Sequence, residues 1–587
     1  MSISDSMNSP CSRQLAASDS RGWMIVLAFA LSAVFIVLHL GDLPLLAPDE
    51  GRNAEVAREM ADSGTWLVPT YDGMTYLDKP AFYFKTVALS FAAFGESEFT
   101  ARLSSAGFAL ALLIAIFLFC QRVYDRRAAL AAILVVASTP LYLAFARIVI
   151  FDMTLAFFVC SAIFACFLAE QSEDAERKRW YRLGALASGM ATLVKGPVGF
   201  LLPTLVMAVF NPLDGRKGAM RRCFAPINWA IFFAVVLPWF VGLSILCPDF
   251  PYYGLVKESF ARFTTQEFHR TAPFYYYGLI ILSCFFPWSL LLPQSISAAC
   301  RSQRHWTSAD RLFMVWALVV VGFFSVSQSK LPGYILTAVI ALGVLVGRVF
   351  SSALGNRLGR SACIVRRGAA ALAVIMGVLA LFAGGWLLNP SLVEGGLGLK
   401  ERAVAMIKPQ LPLLLVSLSV VVALSLAALR SNDPRLTFLG FVSVPLLLIT
   451  INFPGIQRFV ESRSSRNLAA AMPEDLGKDT DIACIECLPN GLPFYLKRLI
   501  YVITKDGTEL TSNYILFEMH NDSKELQRII LMDQLDAWLG RHKAPVFLMA
   551  NGKQRTLLGQ IAARYGARVI PLPSGYAAAL LPAAEAR

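Results

Sequence analysis

The chain predicts an α-helical, polytopic membrane protein followed by a soluble α/β domain, and three observations carry that prediction. Apolar stretches of spanning length recur from Trp23 to about Phe453, separated by short polar loops. Of 587 residues 56% are hydrophobic and the mean hydropathy is positive, far from the soluble globular norm. Beyond Phe453 charges of both signs and shorter apolar runs return. The expected division is therefore residues 1–453 in the membrane and 454–587 outside it.

Along the chain, Met1 to Gly22 is polar and the apolar run Trp23 to Leu40 lacks a small-residue cleavage site, so it reads as a retained first helix. Arg13 and Arg21 precede it, which puts the loop after it on the outer side. The apolar stretches amount to about thirteen membrane helices at ~20 residues each. Basic clusters fall in alternate loops: around Arg122, Arg177, Arg216, Arg301, Arg357 and Arg430. These loops are assigned to the cytoplasm, and they account for much of the net charge of +13 without nucleic acid as a partner. The outer side then holds Gly41 to Lys85, the turn Arg147 to Asp152, the stretch Cys247 to Pro273, the turn around Lys330, and Asn389 to Gln410. Between Gly184 and Phe210, Lys195-Gly196-Pro197 interrupts the apolar run and predicts two shorter pieces.

In the last part, Val502 to Lys505, Tyr514 to Glu518, Pro545 to Met549 and Val569 to Leu572 read as strands, and Ser523 to Arg541 and Gln554 to Tyr565 as helices. Most of the eleven cysteines are scattered singly through apolar segments, where a thiol acts as a small hydrophobe. Cys484 and Cys487 form one C-x-x-C; with no second pair at zinc spacing they fit a local disulfide or two plain thiols. No phosphate-binding glycine loop and no Ser/His/Asp order occurs.

The outer side carries the unusual residues. Asp49, Glu50 and Arg52 follow the first helix at once, and Asp152 closes the short turn that Arg147 opens. A solvated helix start also fits Asp49 and Glu50 taken alone. Ionisable groups repeated at one membrane boundary, however, are costly unless they face a cavity or one another. Lys79, Arg52, Arg262, Lys330 and Tyr334 add cations and a hydroxyl on the same side, the donor set a phosphate requires. Lys330 alone also fits a lysine reaching for lipid headgroups. Glu258, Arg262, His269 and Arg270 stand among Phe260, Phe263, Phe268 and Phe274, which fits an interfacial aromatic belt or a sugar surface equally well.

Several stretches carry a family resemblance: Leu45 to Met60, Tyr76-Leu77-Asp78-Lys79-Pro80, Phe94-Gly95-Glu96, Ala101-Arg102-Leu103, Leu193 to Pro197, and Ser327 to Leu336. Over essentially its whole length the chain resembles the integral-membrane glycosyltransferases that use a polyprenyl-phosphate sugar donor and have the GT-C fold. The nearest branch transfers 4-amino-4-deoxy-L-arabinose to lipid A. The resemblance implies that Asp49 is the main catalytic carboxylate, that Asp152 is a second essential acid, and that Arg52, Lys79, Arg262 and Tyr334 hold the donor phosphate, with Lys330 beside them. Glu50, Arg147, Glu258 and His269 are supporting candidates. No cofactor is required; some relatives hold a structural divalent metal, with an acid at the place of Asp78 as one ligand. Asn53 and Ala81 depart from the usual Tyr and Pro of that pattern.

The implied reaction is an inverting transfer from undecaprenyl phosphate to lipid A or another periplasmic acceptor. The implied setting is a bacterial inner membrane, with membrane lipids around the chain and the active site and C-terminal domain periplasmic. Transfer of another sugar to a protein or glycan hydroxyl is the alternative. A transporter is the reading from a different class, since polytopic helices with charges at membrane depth also fit it.

Overall fold

The computed structural model describes residues 10–261, 264, 271–294, 307–391, 404–405, 407–473, 476–477, 479–521 and 527–583. Among them, eight helices are long and apolar enough to cross a bilayer, or ten if each of two sharply bent pairs is one span. Three further apolar helices, Gly22–Val37, Phe82–Phe94 and Val198–Leu213, are shorter than a full span. The expectation of about thirteen spans counts apolar runs by composition, which does not separate a full crossing from a partial one.

The first half of the chain positions the site. Helix α1 (Pro10–Val37) leads to a long connection in which α2 (Asp49–Ser63) is followed by a hairpin of β1 (Thr70–Tyr71) and β2 (Met74–Thr75). Asp49 and Glu50 occupy the first turn of α2, where acids meet the positive end of the helix dipole. Then come α3 (Phe82–Phe94), α4 (Glu98–Val123), α5 (Arg126–Ala137), α6 (Pro140–Ala146), α7 (Asp152–Ala169), α8 (Asp174–Lys195) and α9 (Val198–Leu213). Helix α4 opens on a reciprocal cap between Ser97 and Thr100. The expected break at Lys195-Gly196-Pro197 separates α8 from α9, because Pro197 has no N–H with which to continue α8. Helix α7 is largely buried within the bundle, whereas Pro226–Leu246 and Arg360–Leu388 turn most of their surface outward.

The last long helix ends at Ile451, and a six-stranded sheet begins at Asp481. Its order is β5-β4-β3-β6-β8-β7, with β3 (Asp481–Ile485), β4 (Ile500–Thr504), β5 (Ile529–Leu531) and β6 (Val546–Ala550) parallel. Strand β8 (Ala577–Leu581) pairs antiparallel with both β6 and the edge strand β7 (Val569–Pro571). The strands expected at 502–505, 545–549 and 569–572 and the helix at 554–565 are present within a few residues. Residues 514–518 instead lie in the helix Asn513–His520, because Ser512 caps the Ile515 N–H and the Tyr-Ile-Leu-Phe run has no strand alternation. The long helix expected over 523–541 is also corrected: residues 522–526 lie outside the described set, Ile529–Leu531 is a strand, and the helix covers only Leu535–Arg541. Cys484 and Cys487 are both free, buried thiols.

The domain rests its loops on α2 and the β1–β2 hairpin. Glycine is required at Gly51, since a Cβ there would lie 2.5 Å from the Gly491 Cα. Nearby, the Tyr71 hydroxyl donates to the Asn490 carbonyl at 3.1 Å, and Asp72 accepts from the Ile500 N–H at 2.7 Å. Asn490 and Gly491 lie in the connection from β3 to β4, and Ile500 is the first residue of β4.

Candidate functional site

Two antiparallel neighbours build the centre. Asp152 is the first residue of α7 and Lys195 the last of α8, so each stands at the helix end that favours its charge. Because α7 and α8 pack side by side, these ends meet, and Lys195 Nζ lies 2.5 Å from Asp152 Oδ1. Both side chains are nearly buried. Lys195 also stands 4.8 Å from the centre of the Tyr334 ring and 5.0 Å from that of Phe151. Gly333 lets the Ser327 to Tyr334 turn come this close, since a Cβ there would meet Phe145 at 2.5 Å and Asp152 Oδ1 at 3.2 Å.

A cavity of about 470 Å³ opens beside this pair. Its polar end includes Asp78, Lys79, Asp152, Lys195, Glu258 and Tyr334, while Leu201, Leu202, Phe240, Phe323 and Phe324 contribute apolar wall. Lys79 pairs with Glu258 and also donates to the Asp78 carbonyl at 2.5 Å. The hydroxyls of Ser329 and Thr337, on two further lining residues, are buried without a partner among the described residues. Such a space offers two ammonium groups to an anion and an apolar wall to whatever the anion is attached to.

The structure separates the expected site residues into groups. Lys79, Asp152, Glu258 and Tyr334 are brought together at the cavity. Lys330 is buried just beside it and donates to the Ser327 carbonyl at 2.7 Å. Asp49 and Arg52 form their own pair at 2.6 Å on α2 and do not line the cavity. Asp49 is about half exposed, whereas the Arg52 guanidinium is covered and reaches the Thr511 carbonyl of the C-terminal domain at 3.0 Å. Arg262 and His269 lie outside the described residues.

Glu50 and Arg147 hold the scaffold. Glu50 takes Arg102 Nε at 2.8 Å and Nη2 at 2.9 Å, and it also accepts the Leu46 and Val149 N–H groups at 2.9 Å each. Arg147 donates to the Phe35 and Ile36 carbonyls near the end of α1, where a cation meets the negative end of the dipole. One turn further along α2, burial pushes the Glu55 carboxyl up to about 7, against the Arg58 N–H donors that hold it down.

Asp78 does not fit a metal ligand. Its Oδ1 accepts from the Tyr253 hydroxyl at 2.9 Å and the Tyr514 N–H at 2.8 Å, and its Oδ2 accepts from the Asn513 N–H at 3.1 Å. Among the described residues no group of three or more His, Cys, Asp or Glu side chains is arranged to hold a metal ion. Sequence reasoning missed Lys195 as a site residue, although a lysine at the end of an interrupted helix is an ionisable group at membrane depth. Arg102 was in plain view within Ala101-Arg102-Leu103, but nothing in the sequence pairs it with Glu50.

Residues 78–241 match the family profile described as dolichyl-phosphate-mannose-protein mannosyltransferase. The chain is 32% identical over 343 residues to the undecaprenyl phosphate-alpha-4-amino-4-deoxy-L-arabinose arabinosyl transferase of Shewanella sediminis, covering 57% of this chain and 61% of that one. It is 31% identical over 366 residues to the enzyme of the same name from Pseudomonas aeruginosa, covering 61% and 64%. The matched part thus spans about three fifths of these curated relatives. The crystal structure of ArnT from Cupriavidus metallidurans bound to undecaprenyl phosphate superposes with a TM-score of 0.78 at 24% identity, over 95% of this chain and 98% of that one. Over about three fifths of its length the chain is thus similar in sequence to these arabinosyl transferases, and over nearly all of it the fold is that of the ArnT structure.

Proposed function

We propose that the protein transfers a sugar, 4-amino-4-deoxy-L-arabinose, from undecaprenyl phosphate to a phosphate of lipid A at the periplasmic face of the inner membrane. One observation carries the reading: a cavity with apolar wall whose polar end gathers Lys79, Lys195, Asp152, Glu258 and Tyr334. A lipid-linked phosphate needs both halves of such a space. The acceptor oxygen forms a bond to the anomeric carbon as the bond from that carbon to the donor phosphate breaks, with inversion. The bonding electron pair leaves on undecaprenyl phosphate. Lys79 and Lys195 meet that growing negative charge from fixed positions, which lowers the barrier without a cofactor. Their carboxylate partners, Glu258 and Asp152, keep both ammonium groups in place until the phosphate arrives.

A lipid A phosphate is already ionised near neutral pH and gives up no proton on attack. Such an acceptor needs no base, and Asp49, half exposed, instead holds the Arg52 guanidinium at 2.6 Å. The test is a transfer assay in proteoliposomes containing purified protein, undecaprenyl phosphate-aminoarabinose and lipid A, read by mass spectrometry. The expected product is lipid A heavier by one pentosamine. An unmodified lipid A, with transfer to a protein or glycan hydroxyl, overturns the acceptor; solute uptake without any transfer overturns the class of function.

A further inference from the structure

Asp78 is the neighbour of Lys79, yet its carboxylate is occupied by donors from two other parts of the chain. Tyr253 begins the π-helical segment Tyr253–Ala261, which carries Glu258, the partner of Lys79. Asn513 and Tyr514 open the helix Asn513–His520 of the C-terminal domain, and their N–H groups are among those a helix start leaves unsatisfied. Tyr253 and Tyr514 also touch directly, with ring centres 4.9 Å apart, and both are buried. Just before that helix, Thr511 accepts from Arg52. One buried carboxylate therefore ties together the Lys79 loop, the Glu258 segment and the C-terminal domain.

We propose that Asp78 is a positioning residue that uses these three hydrogen bonds, rather than a metal ion, to fasten the C-terminal domain to the Lys79–Glu258 end of the cavity. The C-terminal domain then has a part in the reaction: it sets where Lys79 and its partner Glu258 stand. A carboxylate with charge-assisted bonds to two backbone N–H groups and a phenol is held in one place, and the lysine next to it in sequence inherits that constraint. The inference rests on the transferase reading only for its lipid-binding arm.

Full-length protein in nanodiscs, as wild type, Asp78→Ala, Asp78→Asn and Tyr253→Phe, is titrated with undecaprenyl phosphate, and amide exchange is followed over Asn513–His520. Asp78→Ala is expected to weaken lipid binding roughly tenfold or more and to speed exchange across that helix. Tyr253→Phe removes one donor and leaves the fold's other contacts, so it should shift both readouts in the same direction by less. Asp78→Asn, which keeps an acceptor oxygen, should recover part of each loss. Wild-type protein treated with EDTA should match untreated protein in both. A chelator effect equal to that of Asp78→Ala, reversed by added zinc, overturns the proposal. So does unchanged exchange and binding in Asp78→Ala. Wild-type protein that does not bind undecaprenyl phosphate counts against the transferase reading, and the exchange readout alone then decides the role of Asp78.

Discussion

Two buried ion pairs stand at helix ends in the first half of the chain, and they serve opposite purposes. Glu50 and Arg102 are nearly inaccessible, and four hydrogen bonds take up the carboxylate while Arg102 spends its remaining donors on the Leu40, Leu43 and Pro44 carbonyls. Asp152 and Lys195 are about as well buried, yet they meet through a single contact and border a cavity. Burial and charge alone therefore do not mark chemistry. What separates the two pairs, among the described residues, is the number of hydrogen bonds each makes and the cavity beside the second. The Glu50–Arg102 pair, with all its donors and acceptors taken, fixes the loop; the Asp152–Lys195 pair borders space for a ligand.

The contrast breaks most visibly at Arg102. Arg102→Ala leaves Glu50 buried without its cation and should destabilise the protein by ~3–5 kcal/mol, read as lower yield and an earlier thermal transition in detergent. Asp152→Asn should instead melt close to the wild type while transfer falls on the order of 10²–10³-fold. A stability loss as large as that of Arg102→Ala would make Asp152 a second scaffold residue. Asp49→Asn sharpens the comparison further, because Asp49 lies outside the cavity. On a phosphate acceptor its loss should stay below about tenfold, whereas a general base would be worth ~10²-fold or more.

The smallest expected effect concerns Glu55. Its carboxyl is raised from 4.5 to about 7 in the folded protein, so its contribution to stability is fully present below pH 4.5 and fades as pH rises through 7. Thermal melts across that window should show the wild type losing stability relative to Glu55→Gln as pH rises. Parallel curves for the two proteins would mean that Glu55 titrates normally.

Much of this arrangement was legible in the chain. The apolar runs marked the helices, Gly196-Pro197 marked the break between α8 and α9, and the return of mixed charge in the last part accompanied the six-stranded sheet. Pairing was not legible. Lys195 is 43 residues from Asp152 and Arg102 is 52 from Glu50, and no local pattern says which acid each cation meets. The same limit applies to Asp78, whose partners lie 175, 435 and 436 residues away. The strand β8 was missed because Ala577-Ala578-Ala579 has little intrinsic strand preference and is held by pairing with β6. Residues 514–518 show the reverse: an apolar run resembled a strand, but a serine cap decided for a helix.

The central claim is that the cavity between Lys79 and Lys195 receives the lipid-linked donor. A photoreactive undecaprenyl phosphate analogue, crosslinked to the full-length protein in nanodiscs and mapped by peptide mass spectrometry, tests it most directly. Labels on Leu201, Leu202, Phe240, Phe323 or Phe324, competed away by undecaprenyl phosphate, are the predicted result. Competable labels confined to the separate apolar groove between the helices Arg360–Leu388 and Leu411–Ser431, around Gly377, Gly384 and Leu415, would contradict it.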